Sequence, residues 1–253
     1  ARPHPGSVMR STVFNILFYA CLAVFVLIAA ALTLQPSPRP IRAVMRTACH
    51  TVRGLMRGVM GIRIEVRGTP PAGQPVIIAS KHQSWADGFM MMAVTGDINF
   101  IIGTAIAKFP LVGRIVARSG ATMVNSPGDR ASDQSMQDVL NRAADDPRPL
   151  LIYPEGNLAA VGEAKRYRKG VHLMYETLNR PVVPVATNMG LRWPKNEWVK
   201  HPGPAVIAFL DPIPPGLPRD AFLPRLMTTI ETRTRALEAE GRAYGPADTE
   251  TVS

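Results

Sequence analysis

The sequence is poor in cysteine, and its N-terminal quarter contains no acidic residue. Cys21 and Cys49 are its only cysteines, and neither has metal-ligand spacing to another cysteine or a histidine, so we expect no disulfide framework and no bound metal. Residues 1–64 contain eight arginines but no Asp, Glu or Lys. Of the formal net charge of +10, 10 − 8 leaves only +2 for the remaining chain. This small charge on the globular part argues against nucleic acid as a partner.

A charge-free segment, VFNILFYACLAVFVLIAAALTL, occupies residues 13–34. As a helix its 22 residues would reach about 33 Å, enough for a hydrocarbon core of roughly 30 Å, so we predict a membrane helix. A cleaved signal peptide is the alternative, because Arg10 precedes the segment and small residues lie near its end. The segment is, however, longer than the apolar region of such peptides.

The next segment, IRAVMRTACHTVRGLMRGVMG at 41–61, has the pattern of a basic amphipathic helix. At 100° per residue four arginines fall in one stripe, and residues such as Ile41 and Val52 form the adjoining apolar face. Such a helix suits an anionic membrane surface; the alternative is a helix that packs against the domain and exposes its charged face. Arginines just after an apolar helix predict that the following domain faces the cytoplasm from the inner membrane.

From residue 62 onward, short apolar runs alternate with amphipathic stretches. The runs predict seven strands: IRIEV, VIIAS, NFII, ATMV, LLIY, VVPVAT and AVIAF. The stretches predict helices at 86–95, 110–118, 131–144, 168–179 and 219–241. This alternation indicates an α/β fold, a mostly parallel sheet flanked by helices. We therefore divide the chain into a membrane-anchoring helical arm, 1–61, and an α/β domain, 62–253.

Two polar residues stand where predicted strands end. His82 follows VIIAS and Glu155 follows LLIY, and ligands bind beyond the carboxyl ends of parallel strands. Asp87, five positions after His82, is suitably spaced to orient a histidine that takes a proton from a hydroxyl. Because the chain has no G-x-S-x-G motif, we expect that hydroxyl to belong to a substrate; attack by Ser84 is the alternative.

The residues around His82 carry a family resemblance. KHQSWADGF, at 81–89, resembles the first motif, roughly N-H-x-S-x-x-D, of the glycerolipid acyltransferases, which include 1-acylglycerol-3-phosphate acyltransferase. Three further blocks are similar to the family's motifs and follow in its order: FPLVGRIVARSG, YPEGN and VVPVATN. The segment at 166–195 also resembles bacterial lysophospholipid acyltransferases. The resemblance covers roughly residues 62–240.

The resemblance implies a membrane-bound O-acyltransferase of phospholipid biosynthesis that uses no cofactor. It would transfer a fatty acyl group from acyl-CoA or acyl carrier protein to the free hydroxyl of a lysolipid. His82 would act as general base, and Asp87 would orient it. Substrate would be bound by residues of the first and third motifs: Lys81, Ser84, Trp85, Glu155, Gly156 and Asn157. The alternatives are an acyltransferase for a non-phosphate acceptor such as a lyso-ornithine lipid and a catalytically silent lipid-binding relative. For Trp85, the two alternatives are packing against a lipid chain and packing in the core.

The chain departs from the family pattern at basic positions. Where the third motif continues with Thr-Arg, this chain has Asn157 and Leu158, and the basic residues of the second motif fall at Gly103 and near Ser126. The resemblance implies that those groups surround an acceptor phosphate, which calls for charge-assisted hydrogen bonds. Other basic residues are expected to bind the acceptor phosphate in place of the missing ones, and Lys81 is favoured because it directly precedes His82. The candidates are Lys81, Lys108, Arg130, Lys165, Arg166, Arg168 and Lys169.

Overall fold

The computed structural model describes residues 5–103, 109–124 and 140–244 except residue 142. Helices α1 (Pro5–Leu32) and α2 (Arg39–Met60) come first. α1 begins before the charge-free segment and ends within it. α2 ends because Gly61 adopts the left-handed conformation, with φ of 68°, and donates its N–H to the carbonyl of Arg57. Both predicted N-terminal helices are therefore present.

Within the described residues, seven strands form one sheet, at the positions of the predicted apolar runs. They are β1 (Ile62–Arg67), β2 (Ile77–Ser80), β3 (Asn99–Gly103), β4 (Thr122–Val124), β5 (Leu150–Ile152), β6 (Val182–Thr187) and β7 (Gly203–Phe209). The strand order is β1-β7-β6-β2-β5-β3-β4, and neighbours are parallel except β6 and β7. Strands β1 and β7 therefore run opposite to the other five, and the mostly parallel sheet is confirmed.

Four further described helices accompany the sheet, close to their predicted bounds. They are α3 (Ala86–Thr95), α4 (Pro110–Ser119), α5 (Lys169–Leu178) and α6 (Arg219–Ala243). The helix predicted at 131–144 lies mostly outside the described residues.

Helices cover both faces of the sheet. Successive strand residues point to opposite faces, so each strand contributes side chains to both helical layers. Ile78 and Val183 join a cluster with apolar residues of α1, α2 and α3. Their neighbours Ile77 and Val182 join a second cluster with residues of α5 and α6. The central strands β2, β5 and β6 are therefore buried on both sides, as their continuous apolar sequences predict.

The two N-terminal helices pack against the α/β unit. Phe14 and Phe18 of α1 are buried with their rings edge-on to Trp193, and Arg10 donates to the carbonyl of Val59. Among the described residues, α1 is the one helix long and apolar enough to cross a membrane. The face of α1 that points away from the α/β unit is exposed, and Leu27 on this face is 65% exposed.

The apolar face of α2 packs within the molecule. Ile41, Ala48, Val52 and Met56 are buried; Val52 and Met56 cluster with residues of α1 and α3, and Ile41 with residues of α1 and α4. This face therefore follows the alternative interpretation of a helix packed against the domain, while the arginine side stays partly or fully exposed.

Candidate active site

His82 lies directly beyond the carboxyl end of β2, in a backbone segment that forms hydrogen bonds with β6 on one side and with the loop after β5 on the other. The N–H of Lys81 continues the sheet by donating to the carbonyl of Val185 at 2.9 Å. The N–H of His82 donates to Glu155 Oε2 at 3.2 Å, and its carbonyl accepts from Ala159 N–H at 2.8 Å. The loop that follows β5 therefore fixes the main chain of His82.

Asp87 lies in the first turn of α3, where its side chain turns back over the preceding loop. Its Oδ2 lies 3.0 Å from His82 Nδ1 and accepts the backbone N–H groups of Gln83 at 2.7 Å and Ser84 at 2.8 Å. This arrangement directs the Nδ1 proton of the imidazole to the carboxylate and leaves Nε2 as the ring nitrogen that can take a proton. The His82 side chain is 21% exposed and that of Asp87 only 2%.

Tyr153 stacks on the His82 ring, with 3.8 Å between ring centroids and 16° between planes. Burial raises the pKa of the Tyr153 phenol well above its usual value, and the nearby Asp87 carboxylate adds to the shift. The neutral phenol ring therefore forms a wall that limits the directions His82 can take. Sequence reasoning missed this role, although Tyr153 opens the YPEGN block.

Lys81 does not face the open side of the loop, as the phosphate-binding prediction required. It is fully buried, and its Nζ donates to Glu155 Oε1 at 2.7 Å, to Glu231 Oε1 at 2.9 Å and to the carbonyl of Glu163 at 2.8 Å. These partners take all three ammonium protons, so the expected contact between Lys81 and an acceptor phosphate is wrong.

Glu155 likewise faces inward. Its two oxygens bind Lys81 and the N–H of His82, and only 3% of the residue is exposed. Burial raises the pKa of Glu155, while Lys81 acts in the opposite direction. Its position indicates that it shapes the site by holding His82 and not by facing an acceptor.

Ser84 is buried, and its Oγ accepts the N–H of Ala86 at 3.1 Å. The hydroxyl thus supports the start of α3 and is not open to attack a substrate, so its position argues against the nucleophile alternative. Among the residues that the structure describes, no group of three or more His, Cys, Asp or Glu side chains is placed to hold a metal ion.

Trp85 stands at the rim of an apolar cleft of about 280 Å³ between the N-terminal helices and the α/β unit. The residue is 62% exposed and donates its indole N–H to the carbonyl of Lys195, so the core interpretation of Trp85 is wrong. The walls come from α1, α2, α3, β3 and α4, and include Leu22, Ala48, Cys49, Phe100 and Val112. Burial raises the pKa of the Cys49 thiol to about 12, consistent with a dry wall.

The exposed residues of the third motif meet an arginine from outside it. Gly156 has φ of +70°, and a Cβ there would come within 2.2 Å of Arg168 Nε, so only glycine lets this guanidinium lie across the loop. With the Asn157 amide turned so that Oδ1 faces Arg168, that oxygen accepts from Nη2 at 3.0 Å. A guanidinium thus stands beside the position where the motif's own arginine is missing.

Two lysines lie at the same loop. Lys165 Nζ and Lys195 Nζ donate to the carbonyl of Leu158 at 2.7 and 3.0 Å. The next residue, Ala159, donates its N–H to the carbonyl of His82, so the loop that binds these lysines also contacts the main chain of the histidine. We call Lys165, Arg168 and Lys195 the basic cluster. Arg166 and Lys169 are exposed nearby, whereas Lys108 and Arg130 lie outside the described residues, as does Ser126.

A family model described as Acyltransferase matches residues 62–188. The match covers just over half of the 253 residues and includes the loops that carry His82 and Glu155. The chain belongs to the acyltransferase family.

Several proteins similar in sequence to this acyltransferase are themselves named as acyltransferases. A 1-acyl-sn-glycerol-3-phosphate acyltransferase of Pseudomonas aeruginosa is 26% identical over 235 residues, 90% of each chain. One from Limnanthes alba is 27% identical over 168 residues, 65% of this chain and 59% of that one. A lyso-ornithine lipid O-acyltransferase of Rhizobium meliloti is 22% identical over 98 residues, 39% of this chain and 33% of that one.

A solved structure has the fold of this acyltransferase. The crystal structure of the 1-acyl-sn-glycerophosphate (LPA) acyltransferase PlsC from Thermotoga maritima superposes with a TM-score of 0.73. The match covers 92% of this chain and 98% of that chain at 16% identity. It supports the predicted sheet and its flanking helices.

Proposed function

We propose that this acyltransferase moves a fatty acyl group from a thioester to the free hydroxyl of 1-acylglycerol-3-phosphate or a related lysophospholipid. The observation that carries the proposal is the 3.0 Å contact between His82 Nδ1 and Asp87 Oδ2, made at a loop that also borders the apolar cleft and the basic cluster. A proton acceptor, an apolar cleft and positive charge thus lie along one loop.

In the proposed reaction, Nε2 of His82 takes the proton of the lysolipid hydroxyl as its oxygen attacks the thioester carbonyl. The new C–O bond forms and the C–S bond breaks. The departing thiolate receives the proton back from the imidazolium, which the Asp87 carboxylate stabilises. No covalent enzyme intermediate is required, because holding both substrates in line supplies much of the acceleration.

The basic cluster is proposed to bind the acceptor phosphate. The hydroxyl and the phosphate of 1-acylglycerol-3-phosphate stand on adjacent carbons, which fits a base and cations that share one loop. Each lysine uses one ammonium proton on Leu158, and Lys165 Nζ also lies 3.8 Å from Glu163 Oε2, so Lys195 is the less engaged of the two. Arg168 would supply the guanidinium absent at Leu158, and the names of the Pseudomonas and Limnanthes relatives support this acceptor class.

The acyl chain of the donor, acyl-CoA or acyl carrier protein, is proposed to occupy the apolar cleft. The cleft starts at Trp85 and Gly88, which belong to the same loop and helix as His82 and Asp87. A chain that enters there would bring its thioester toward the histidine. Because α1 and α2 form one wall, the N-terminal helices would take part in substrate binding as well as in attachment.

We also propose that the protein is bound to the inner membrane with its catalytic domain facing the cytoplasm. One face of α1 is taken up by Phe14, Phe18 and their neighbours, while the other exposes large apolar residues such as Ile16 and Leu27. This supports a helix lying in the cytoplasmic leaflet beside its domain and not one that crosses the bilayer alone. Arginines between residues 39 and 57 suit the anionic lipid surface.

A panel of lysolipids tests the proposed acceptor. The purified protein is assayed with both acyl-CoA and acyl carrier protein donors, against 1-acylglycerol-3-phosphate, a zwitterionic lysophospholipid and lyso-ornithine lipid. We expect the highest kcat/KM with a phosphate-containing acceptor. Preference for lyso-ornithine lipid would contradict the role given to the basic cluster, and absence of transfer from either thioester would contradict the function itself.

A further inference from the structure

Helix α6, far from His82 in the sequence, reaches the loop that carries it. Glu231 and Glu238 are seven residues apart and therefore lie on one face of α6. They are only 5% and 3% exposed. Buried carboxylates require partners, and here the partners include the residues on either side of His82; Glu238 also forms an ion pair with Arg242, with 3.5 Å between Oε2 and Nη2.

Glu231 holds the residue before His82. Its Oε1 and Oε2 accept from Lys81 Nζ at 2.9 and 3.1 Å, and Oε1 also accepts from the Tyr167 hydroxyl at 3.0 Å. Because Lys81 in turn binds Glu155, whose Oε2 accepts the N–H of His82, the contact from α6 continues to the main chain of the histidine.

Glu238 holds the residue after His82. Its Oε1 accepts from Gln83 Nε2 at 2.7 Å and from Gly162 N–H at 3.0 Å. Gln83 is also closely packed, since a Cβ on Gly190 would come within 2.9 Å of the Gln83 Cβ. The position of Gln83 is therefore set both by a hydrogen bond to α6 and by the backbone beside it.

The alternation of side chains explains how these contacts act on His82. In an extended segment residues i and i+2 share a side and residue i+1 points to the other. Lys81 and Gln83 thus turn toward α6, while His82 turns toward Asp87 and Tyr153. Fixing both neighbours fixes the direction of the histidine between them.

We propose that Glu231 and Glu238 are positioning residues that clamp the loop on both sides of His82 and hold its imidazole in line with substrate. The inference rests on the proposed role of His82. The buried ion pair between Glu231 and Lys81 is by itself weak evidence for a role in stability, because apolar residues of similar size often stabilise as well. The shared feature of Glu231 and Glu238 is that each binds a side chain adjacent to the histidine.

The test compares Glu231→Met and Glu238→Met, which remove the acceptor oxygens at nearly constant side-chain size, with two matched controls on α6. Thr234→Val changes a buried residue between the two glutamates, and Glu240→Met makes the same chemical change at an exposed ion pair with Arg67. We expect kcat to fall about 10- to 100-fold in the first two proteins while KM for both substrates stays within about twofold, because misplacing a catalytic group by 1 Å can cost about a hundredfold. The controls should keep wild-type kcat.

A spectroscopic readout makes the test independent of activity. The His82 ring signals, identified in histidine-labelled protein by their loss in His82→Ala, should shift in Glu231→Met and Glu238→Met but not in the controls. Gln83→Met provides a second route to the Glu238 contact should a glutamate variant fail to fold. It should give the same shift and the same loss of kcat.

Two results would overturn the inference. One is wild-type kcat together with unshifted His82 signals in both methionine variants, Glu231→Met and Glu238→Met. The other is an equal loss of kcat in Thr234→Val or Glu240→Met, which would indicate a general effect of packing or charge. Failure of the proposed function has a different signature. His82→Ala would then keep wild-type activity, while the ring signals of the α6 variants, which retain His82, would still report on the clamp.

Discussion

Replacing Asp87 by asparagine should separate the charge of this residue from its geometry. Asp87 Oδ2 makes all three hydrogen bonds, to His82 Nδ1 and to the N–H groups of Gln83 and Ser84, whereas Oδ1 is buried without a partner among the described residues. An asparagine can place its oxygen at Oδ2 and its NH₂ at Oδ1. The reverse orientation would set the NH₂ against two backbone donors. The imidazole should thus keep its tautomer and lose only the negative charge.

The expected loss can be worked from the 3.0 Å contact between His82 and Asp87. Unit charges about 4 Å apart attract by about 4 kcal/mol at an effective dielectric constant of about 20. A neutral hydrogen bond to asparagine retains about 1 kcal/mol. The imidazolium formed in the transition state therefore loses about 3 kcal/mol, which corresponds to about a hundredfold in kcat.

The alanine variant provides the contrast. Asp87→Ala leaves the N–H groups of Gln83 and Ser84 without their acceptor, and each such buried donor costs about 1–3 kcal/mol. We expect Asp87→Asn to lower kcat about a hundredfold with a smaller loss in the free energy of unfolding than Asp87→Ala, because the asparagine keeps the two backbone hydrogen bonds. Thiol release from acyl-CoA and urea denaturation measure the two quantities. Wild-type kcat in Asp87→Asn would refute the charge argument.

Three further predictions concern the acceptor, the acyl chain and the membrane. Arg168→Ala should raise KM for 1-acylglycerol-3-phosphate about tenfold in steady-state assays, because one charge-assisted hydrogen bond is lost, while kcat stays nearly unchanged. An unchanged KM would remove Arg168 from the acceptor site. Ala48→Phe, which fills the apolar cleft, should shift preference toward shorter acyl donors, while Ala43→Phe at an exposed position of α2 should not. Leu27→Glu should reduce liposome binding at least tenfold in co-sedimentation, because burial of the leucine side chain in lipid contributes about 1.5–3 kcal/mol. The control Ala236→Glu, at an exposed position of α6, should not change liposome binding.

Most of the fold was predictable because each strand is a continuous apolar run between turn residues. Runs such as IIAS and VVPVAT are buried on both faces of the sheet, which leaves an unambiguous pattern. The reversed direction of β1 and β7 was not predictable, because an apolar run carries no information about strand direction. The packing of α1 was also missed, since length and hydropathy describe a membrane span and a helix against a domain equally well.

The candidate site was predictable where a short motif holds both partners. His82 and Asp87 lie five residues apart, and the turn into α3 brings them into contact. The surroundings of Lys81 were not predictable, because its partners Glu155 and Glu231 lie 74 and 150 residues away. In the sequence, a lysine next to the candidate histidine looks like a ligand for an anion, because its spatial neighbours are far away along the chain. The guanidinium at Gly156 likewise comes from Arg168, outside the motif.

The most direct test of the account is the rate of acyl transfer in His82→Ala, measured in a single turnover with acyl-CoA and 1-acylglycerol-3-phosphate. A general base contributes about 10²- to 10⁴-fold, so the variant should be slower by at least about a hundredfold while both substrates still bind. Retention of the wild-type single-turnover rate would contradict the assignment of His82 as the base.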